Sequence, residues 1–231
     1  MSQIENHLLA IQSRVCEAAR ASGRDPGGIR LVAVSKTYGF DAVREAWDAG
    51  QKVFGESRVQ EALAKIPLLP GGVEWHFIGH LQTNKIRKAL PFFSLFHGVD
   101  NADTARQMDR IAAETGAHPR ILLEVNVSGE GTKFGFSPDR LRGELEALLA
   151  LPRLRIAGLM TIAPYDEDPE KSRPFFAGLR ELRDDLARRG GVPLPELSMG
   201  MSGDFEAAIT EGATIVRVGS AIFGERPRMG A

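Results

Sequence analysis

The sequence predicts an α/β fold, a (β/α)8 TIM-like barrel that forms a single domain over residues 1–231 with an extra amino-terminal helix. Eight short apolar segments alternate with segments of helical periodicity, and this alternation is typical of a parallel sheet. No linker divides the chain, and 231 residues is an ordinary length for one barrel. An open doubly wound sheet is the alternative, but no G-x-G-x-x-G motif follows the first strand, which disfavours dinucleotide binding.

The first helix is predicted from four apolar residues at helical spacing: Ile4, Leu8, Ile11 and Val15. It should cover residues 3–22 and end at Gly23. The predicted strands cover residues 31–36, 53–57, 73–79, 94–99, 120–127, 155–162, 196–201 and 213–219. The predicted helices between them cover residues 40–49, 59–65, 84–88, 103–115, a segment from 137 onward, 169–189 and 204–210, and the last strand leads into residues 220–223.

Composition excludes several classes of protein. The chain is 43% apolar and 26% charged, which is typical of a globular protein. A net charge of −1 gives no reason to expect nucleic acid or an anionic membrane as a partner. No signal peptide and no membrane-spanning run is evident. Cys16 is the single cysteine, which fits a reducing compartment, and we expect a cytoplasmic protein.

Lys36 is the first candidate site residue. It follows the apolar run at residues 31–35, and strand alternation places it on the same face as Val32 and Val34. Burial disfavours the charged form of an amine, and a neutral amine forms Schiff bases with aldehydes and ketones. The alternative is that Lys36 lies just past the strand and reaches water.

Two small loops follow the last predicted strands, where barrels of this kind often hold a phosphate. Met201, Ser202 and Gly203 stand at the end of the seventh strand, and Gly219 and Ser220 stand at the end of the eighth. Their hydroxyl and backbone N–H groups are suitable anion donors, although each loop could simply cap a helix or turn the chain.

Arg217 and His80 fall at predicted strand ends, whereas His76 lies inside the third predicted strand. Arg217 should point into the barrel mouth, where it could pair with a structural acid such as Glu56 or donate to a ligand. His80 could contact a ligand or belong to an exposed basic helix, whereas His76 should be a hydrogen-bonded core residue. No histidine has a partner at metal-ligand spacing, so no metal site is predicted.

The sequence resembles the YggS/PROSC family of pyridoxal phosphate homeostasis proteins, with motifs in the family's order along nearly the whole chain. These motifs lie at residues 33–36 (AVSK), 54–56 (FGE), 59–61 (VQE), 76–79 (HFIG), 81–82 (LQ), 84–85 (NK), 158–160 (GLM), 198–202 (SMGMS), 216–219 (VRVG) and 222–224 (IFG). One position departs from the family, which usually has asparagine where this chain has Ser57.

The resemblance implies a barrel like the amino-terminal domain of alanine racemase, with pyridoxal 5′-phosphate as cofactor and a Schiff base on Lys36. It further implies that Ser202, Gly219 and Ser220 hold the phosphate and that Arg217 faces the pyridine nitrogen. Ser57, His80 and Met201 complete the expected cofactor-binding set.

The function that the resemblance implies is storage and carriage of the cofactor without a defined catalytic turnover. PLP-dependent apo-enzymes are candidate recipients, and we expect a monomer. Two alternatives stay open: a weak amino-acid racemase, and a cofactor-free Schiff-base aldolase that uses the same lysine.

Overall fold

The computed structural model describes residues 2–131 and 133–224. Their strands form a closed parallel barrel in the order β1 to β8. The strands are β1 (Arg30–Val34), β2 (Val53–Glu56), β3 (Glu74–Phe77), β4 (Leu95–Val99), β5 (Arg120–Glu124), β6 (Arg155–Met160), β7 (Glu196–Ser198) and β8 (Ile215–Val218). The helices are α1 (Gln3–Ala21), α2 (Phe40–Asp48), α3 (Val59–Lys65), α4 (Ile86–Ala89), α5 (Ala102–Thr115), α6 (Pro138–Leu149), α7 (Arg173–Gly190), α8 (Phe205–Thr210) and α9 (Ser220–Phe223). The predicted barrel and its extra amino-terminal helix are therefore confirmed.

Helix α1 lies outside the barrel and covers the seam where the last elements meet the first. Ser2 caps it, and the buried side chains of Leu8, Ile11 and Val15 form its apolar stripe. The helix packs against α2, α8 and α9, and His7 Nδ1 lies 3.1 Å from the backbone oxygen of Ile222. This packing explains the apolar spacing of the first segment.

The core has two parts, as expected of a barrel surrounded by helices. The larger part lies between the strands and the helices. A smaller cluster fills the barrel interior, and its members are Val32, Leu95, Leu122, Ala157, Met160 and Ile215. Register pairs Val32 with Arg217, so Arg217 also points inward.

Most predicted strands extend too far at their carboxyl ends. Strand β7 ends at Ser198 instead of residue 201, because the chain turns at Gly200 with φ +91° to form the next loop. The predicted helix over 169–189 begins as a 3-10 turn, Pro169–Ser172, before α7. A similar turn, Thr83–Lys85, precedes α4. Among the described helices, none is both long enough and apolar enough to cross a lipid bilayer.

Gly158 is required by the packing of β6 against β7. A Cβ atom at this position would lie 1.9 Å from the backbone oxygen of Glu196. Replacing Gly158 by alanine should therefore force the two strands apart and lower the free energy of unfolding by about 3 kcal/mol. Urea denaturation measures this loss. Gly178→Ala in α7 is the control, because its Cβ would meet no atom within 4 Å and should stabilise the helix by about 1 kcal/mol. Equal stability of both variants would contradict the prediction.

Candidate functional site

Lys36 does not end the first strand as predicted but lies two residues beyond β1, half-buried at the carboxyl end of the barrel. The turn that carries it is held on both sides of the lysine. The backbone N–H of Ser35 donates to Gly55 O (3.0 Å), and that of Thr37 donates to Glu61 Oε2 (3.1 Å). Thr37 has φ +73°, which is rare for a β-branched residue and marks a strained turn. The strain is maintained next to the candidate nucleophile.

A buried polar cluster supports this turn from outside the barrel wall. Glu56, at the end of β2, is completely buried, and its Oε1 accepts from Ser35 Oγ and from Lys65 Nζ, both at 2.7 Å. Lys65 Nζ also donates to Ser35 O at 2.9 Å. Burial raises the pKa of Glu56 although Lys65 opposes the shift. The suggested pairing of Glu56 with Arg217 is therefore wrong, because Glu56 faces α3 and Arg217 faces the barrel interior.

The two loops predicted to hold an anion are in direct contact. The backbone N–H of Gly219 donates to Ser202 Oγ at 3.3 Å. A Cβ on Gly219 would lie 3.3 Å from Val34 O, so this loop also lies against the end of β1. Ser220 is exposed at the start of α9. The structure thus brings Ser202, Gly219 and Ser220 beside the strand that leads to Lys36.

Met201 contributes to this loop through its side chain. Its backbone N–H donates to Asp204 Oδ1 at 2.6 Å, and the residue is 38% exposed. A ligand at this loop would therefore meet an apolar thioether from Met201. The hydroxyl proton of Ser202 can be donated to a ligand, because Ser202 Oγ acts as the acceptor for Gly219.

Arg217 is the buried cation beneath these loops. Its Nη1 donates to Ser198 Oγ at 2.5 Å and its Nη2 to Thr161 O at 2.8 Å. Burial lowers the pKa of Arg217 to about 10, and the guanidinium still carries its charge at neutral pH. Its charge is offset by Glu124 and Asp204 at longer range.

His80 and Ser57 line the opposite side of the mouth. His80 Nδ1 lies 2.7 Å from Asp100 Oδ2, and the ring stacks on Phe134 with centroids 4.6 Å apart. Ser57 and His80 border a cavity of about 350 Å³ that Lys85 also lines. The predicted site residues therefore lie at one end of the barrel, in two groups on opposite sides.

Glu124 was not singled out from the sequence. It ends β5 on the same inward face as Leu122, and Met160 lies beside it in the β5–β6 register. Burial, and secondly the nearby charge of Asp100, raise the pKa of Glu124 to about 7. The available signal was a carboxylate interrupting the apolar run from Ile121 to Val125. Asp100, directly after β4, could have been found in the same way.

His76 is the hydrogen-bonded core residue that the sequence predicts. His76 is fully buried and lies within hydrogen-bonding distance of Glu74 and His97. His118 is exposed, with Nε2 3.1 Å from Arg153 Nη1. Within residues 2–131 and 133–224, no three His, Cys, Asp or Glu side chains are grouped so that they could hold a metal ion.

Fold and site together define a parallel α/β barrel with a lysine after its first strand and two contacting loops after its last two strands. Comparison with known proteins agrees with this class: a family model described as alanine racemase, N-terminal domain, matches residues 7–227. The chain is 46% identical to a pyridoxal phosphate homeostasis protein of Aquifex aeolicus over 220 residues, covering 95% of this chain and 96% of the relative. It is 45% identical to that of Pseudomonas aeruginosa, covering 98% and 97%.

Solved structures give the same result. PipY of Synechococcus elongatus, in a structure with PLP bound, matches with a TM-score of 0.84 and 40% identity, covering 96% of this chain and 100% of PipY. The chain belongs to the family of pyridoxal phosphate homeostasis proteins. The family is named for a homeostasis role and not for a catalysed reaction, which agrees with the prediction of a binding protein without defined turnover.

Proposed function

We propose that this protein binds pyridoxal 5′-phosphate covalently through Lys36 and serves to hold and carry the cofactor inside the cell. The observation that carries the proposal is the contact between the two donor loops and the end of β1. Gly219 contacts both Ser202 and the end of β1, so an anion held by these loops lies near the turn that presents Lys36. PipY, a 40% identical relative, has been solved with PLP bound.

The chemistry of the donor set fits this ligand. Pyridoxal 5′-phosphate supplies an aldehyde that an amine captures reversibly with loss of water. The amine of Lys36 is the matching nucleophile, and the strained turn at Thr37 fixes where it is presented. The hydroxyls of Ser202 and Ser220 are suited to the phosphate as neutral donors around a dianion, and Gly219, which has no side chain, lets the backbone approach that anion closely. Arg217 is suited to the ring nitrogen, where it donates a hydrogen bond and keeps its own proton.

The other side of the mouth would border the ligand without holding its charge. We assign Ser57, His80 and Met201 to this border. Asp100 orients the His80 ring from behind, and Phe134 covers its face. Ser57 has a short hydroxyl in place of the longer amide common in the family, so a contact through water is expected there. The shorter side chain leaves space in the adjoining cavity.

Domain organisation, oligomeric state, cellular location and recipients of the cofactor belong to the same proposal. We propose that the whole 231-residue chain acts as one domain and as a monomer in the cytoplasm, with PLP-dependent apo-enzymes as recipients of the cofactor. The lone cysteine supports a reducing compartment. Size-exclusion chromatography with light scattering tests the monomer directly.

The test of the binding function is an absorbance spectrum with and without added pyridoxal 5′-phosphate, followed by borohydride reduction and peptide mapping. We expect a near-visible band and a reduced adduct on the peptide that carries Lys36. Lys36→Ala should abolish both, whereas Lys88→Ala, an exposed lysine on α4, should change neither. A wild-type protein that stays colourless after addition of the cofactor would contradict the proposal and favour the cofactor-free aldolase.

A further inference from the structure

Polar side chains cross the interior of the barrel in a single connected row. The row runs from the amino end of β3 to Arg217 under the mouth, with successive contacts of 2.9, 2.9, 2.9 and 2.5 Å. Its members are Glu74, His76, His97, Ser198 and Arg217. His76, His97 and Ser198 are each completely buried. Barrel interiors are usually filled by branched apolar residues, so four linked and buried polar side chains there, joined to the partly exposed Glu74, need a reason.

The direction of the first hydrogen bond is fixed by Glu74. The hydrogen bond with His76 lowers the pKa of Glu74 to about 2, so its carboxylate can only accept. His76 Nε2, 2.9 Å from Glu74 Oε1, must therefore carry a proton. Burial lowers the pKa of His76, so the ring is neutral and its Nδ1 is an acceptor. The proton between the two rings consequently belongs to His97 Nε2, which donates to His76 Nδ1.

The hydrogen bonds that link His97, Ser198 and Arg217 run in the same direction. Burial lowers the pKa of His97 well below its ordinary value, so this ring is neutral too and Nδ1 accepts. The hydroxyl proton of Ser198 must then point to His97 Nδ1, 2.9 Å away. The serine oxygen keeps lone pairs, and one of them accepts from Arg217 Nη1. Every proton in the row points away from the cation and towards the carboxylate.

We propose that this row positions Arg217: Ser198, His97, His76 and Glu74 form a one-way chain of donors that locks the guanidinium in one orientation below the cofactor mouth. Thr161 O holds the second nitrogen of the guanidinium, Nη2. The single proton of the His97 ring lies on Nε2, so the Ser198 hydroxyl must donate to His97 Nδ1. The Ser198 oxygen is then fixed as the acceptor for Arg217 Nη1. The inference deepens the proposed function, since Arg217 is the residue assigned to the ring nitrogen. His97, His76 and Glu74 act through Arg217 and touch no ligand.

The direction of the chain is testable in the protein without cofactor. Proton–nitrogen NMR distinguishes the two neutral imidazole tautomers and the imidazolium. We expect both His76 and His97 to be neutral with the proton on Nε2 at neutral pH. Assignment uses the variants His76→Gln and His97→Gln, with exposed His118→Gln as the matched control. A proton on Nδ1 of either ring, or an imidazolium at His97, would overturn the proposed direction.

The effect on Arg217 is tested with Ser198→Ala, which removes the link between His97 and the guanidinium. A hydrogen bond to a charged group is involved, so the dissociation constant for pyridoxal 5′-phosphate should rise about tenfold or more. The near-visible band should shift as well, because the group facing the ring nitrogen is no longer held. Ser198→Thr restores the hydroxyl and should restore both affinity and band. Wild-type affinity and an unshifted band in folded Ser198→Ala would overturn the positioning role.

The NMR experiment and the Ser198→Ala binding experiment together distinguish a failure of this inference from a failure of the proposed function. If the wild-type protein binds no pyridoxal 5′-phosphate, the proposed function fails, and the NMR tautomers still decide whether the directed chain exists. If the wild type binds the cofactor and Ser198→Ala behaves as wild type, the positioning role fails and the proposed function stands. Thermal melting of Ser198→Ala shows whether a loss of affinity comes with loss of the fold, which would also speak against a positioning role.

Discussion

Replacing Lys65 by methionine is expected to lower the free energy of unfolding by about 3–5 kcal/mol, because it leaves a buried carboxylate without its cation. Glu56 is completely buried, and Lys65 Nζ is 2.7 Å from its Oε1. Its other oxygen, Oε2, has no hydrogen-bond partner in the described part of the chain. Without Lys65 the folded-state pKa of Glu56 rises further, so the variant loses stability as pH rises above the unfolded value. The deficit relative to wild type should therefore shrink in acid.

Urea denaturation at several pH values measures this effect. Lys88→Met is the matched control, because Lys88 is exposed and its loss should cost no more than about 0.5 kcal/mol. Adding Glu56→Leu to Lys65→Met removes the unpaired charge and should recover much of the stability. Lys65 also donates to Ser35 O, next to Lys36, so weaker cofactor retention should accompany the loss. Wild-type stability of Lys65→Met at neutral pH would show that the ion pair does not support the turn.

Replacing Glu124 by glutamine is expected to stabilise the protein above neutral pH by up to about 3 kcal/mol. Burial first, and then the charge of Asp100, raise the pKa of Glu124 from 4.5 to about 7. A carboxyl group whose pKa is higher in the folded than in the unfolded protein stabilises the folded state when it is protonated and destabilises it when it is ionised. That stability is present below about pH 4.5 and is lost as pH rises through 7. Glutamine keeps the shape of the side chain and cannot ionise.

The measurement is the difference in the free energy of unfolding between Glu124→Gln and wild type at successive pH values. The difference should be near zero at pH 4, grow through the interval from 4.5 to 7, and level off above it. The acid end of this series is the internal control, since both proteins carry a neutral group there. A difference that does not change with pH would show that Glu124 has the same proton affinity in the folded and unfolded chains.

The barrel could be predicted because its signals are local. Each strand is a short apolar run between helical segments, and the spacing of Leu8, Ile11 and Val15 defines α1. The ends of the strands were predicted less well, because the run of apolar side chains continues beyond the point where the backbone stops pairing with its neighbour. At β7, for example, the apolar residues run on to Met201, but the backbone turns at Gly200.

The site could be predicted only in part, for a physical reason. Lys36, Ser202 and Gly219 follow strands closely, and in a parallel barrel the carboxyl ends of all strands lie at the same face. Contacts across the interior depend on which residues share a layer, and this requires the register. The link between His97 on β4 and Ser198 on β7 joins residues 101 positions apart. Lys65 is equally hidden, because a lysine at the end of a helix normally faces water.

The packing of α1 has a consequence for how the chain is made. During synthesis this helix leaves the ribosome first, but α8 and α9, which cover its apolar stripe, leave last. At ordinary rates of translation the interval is about 10 s or longer, and throughout it Leu8, Ile11 and Val15 lack these partners. Strand β1 likewise lacks its pairing partner β8 until late in synthesis. Because Gly219 reaches the end of β1 only when that seam closes, an unfinished chain lacks the contact between Gly219 and β1 on which the proposed cofactor site depends.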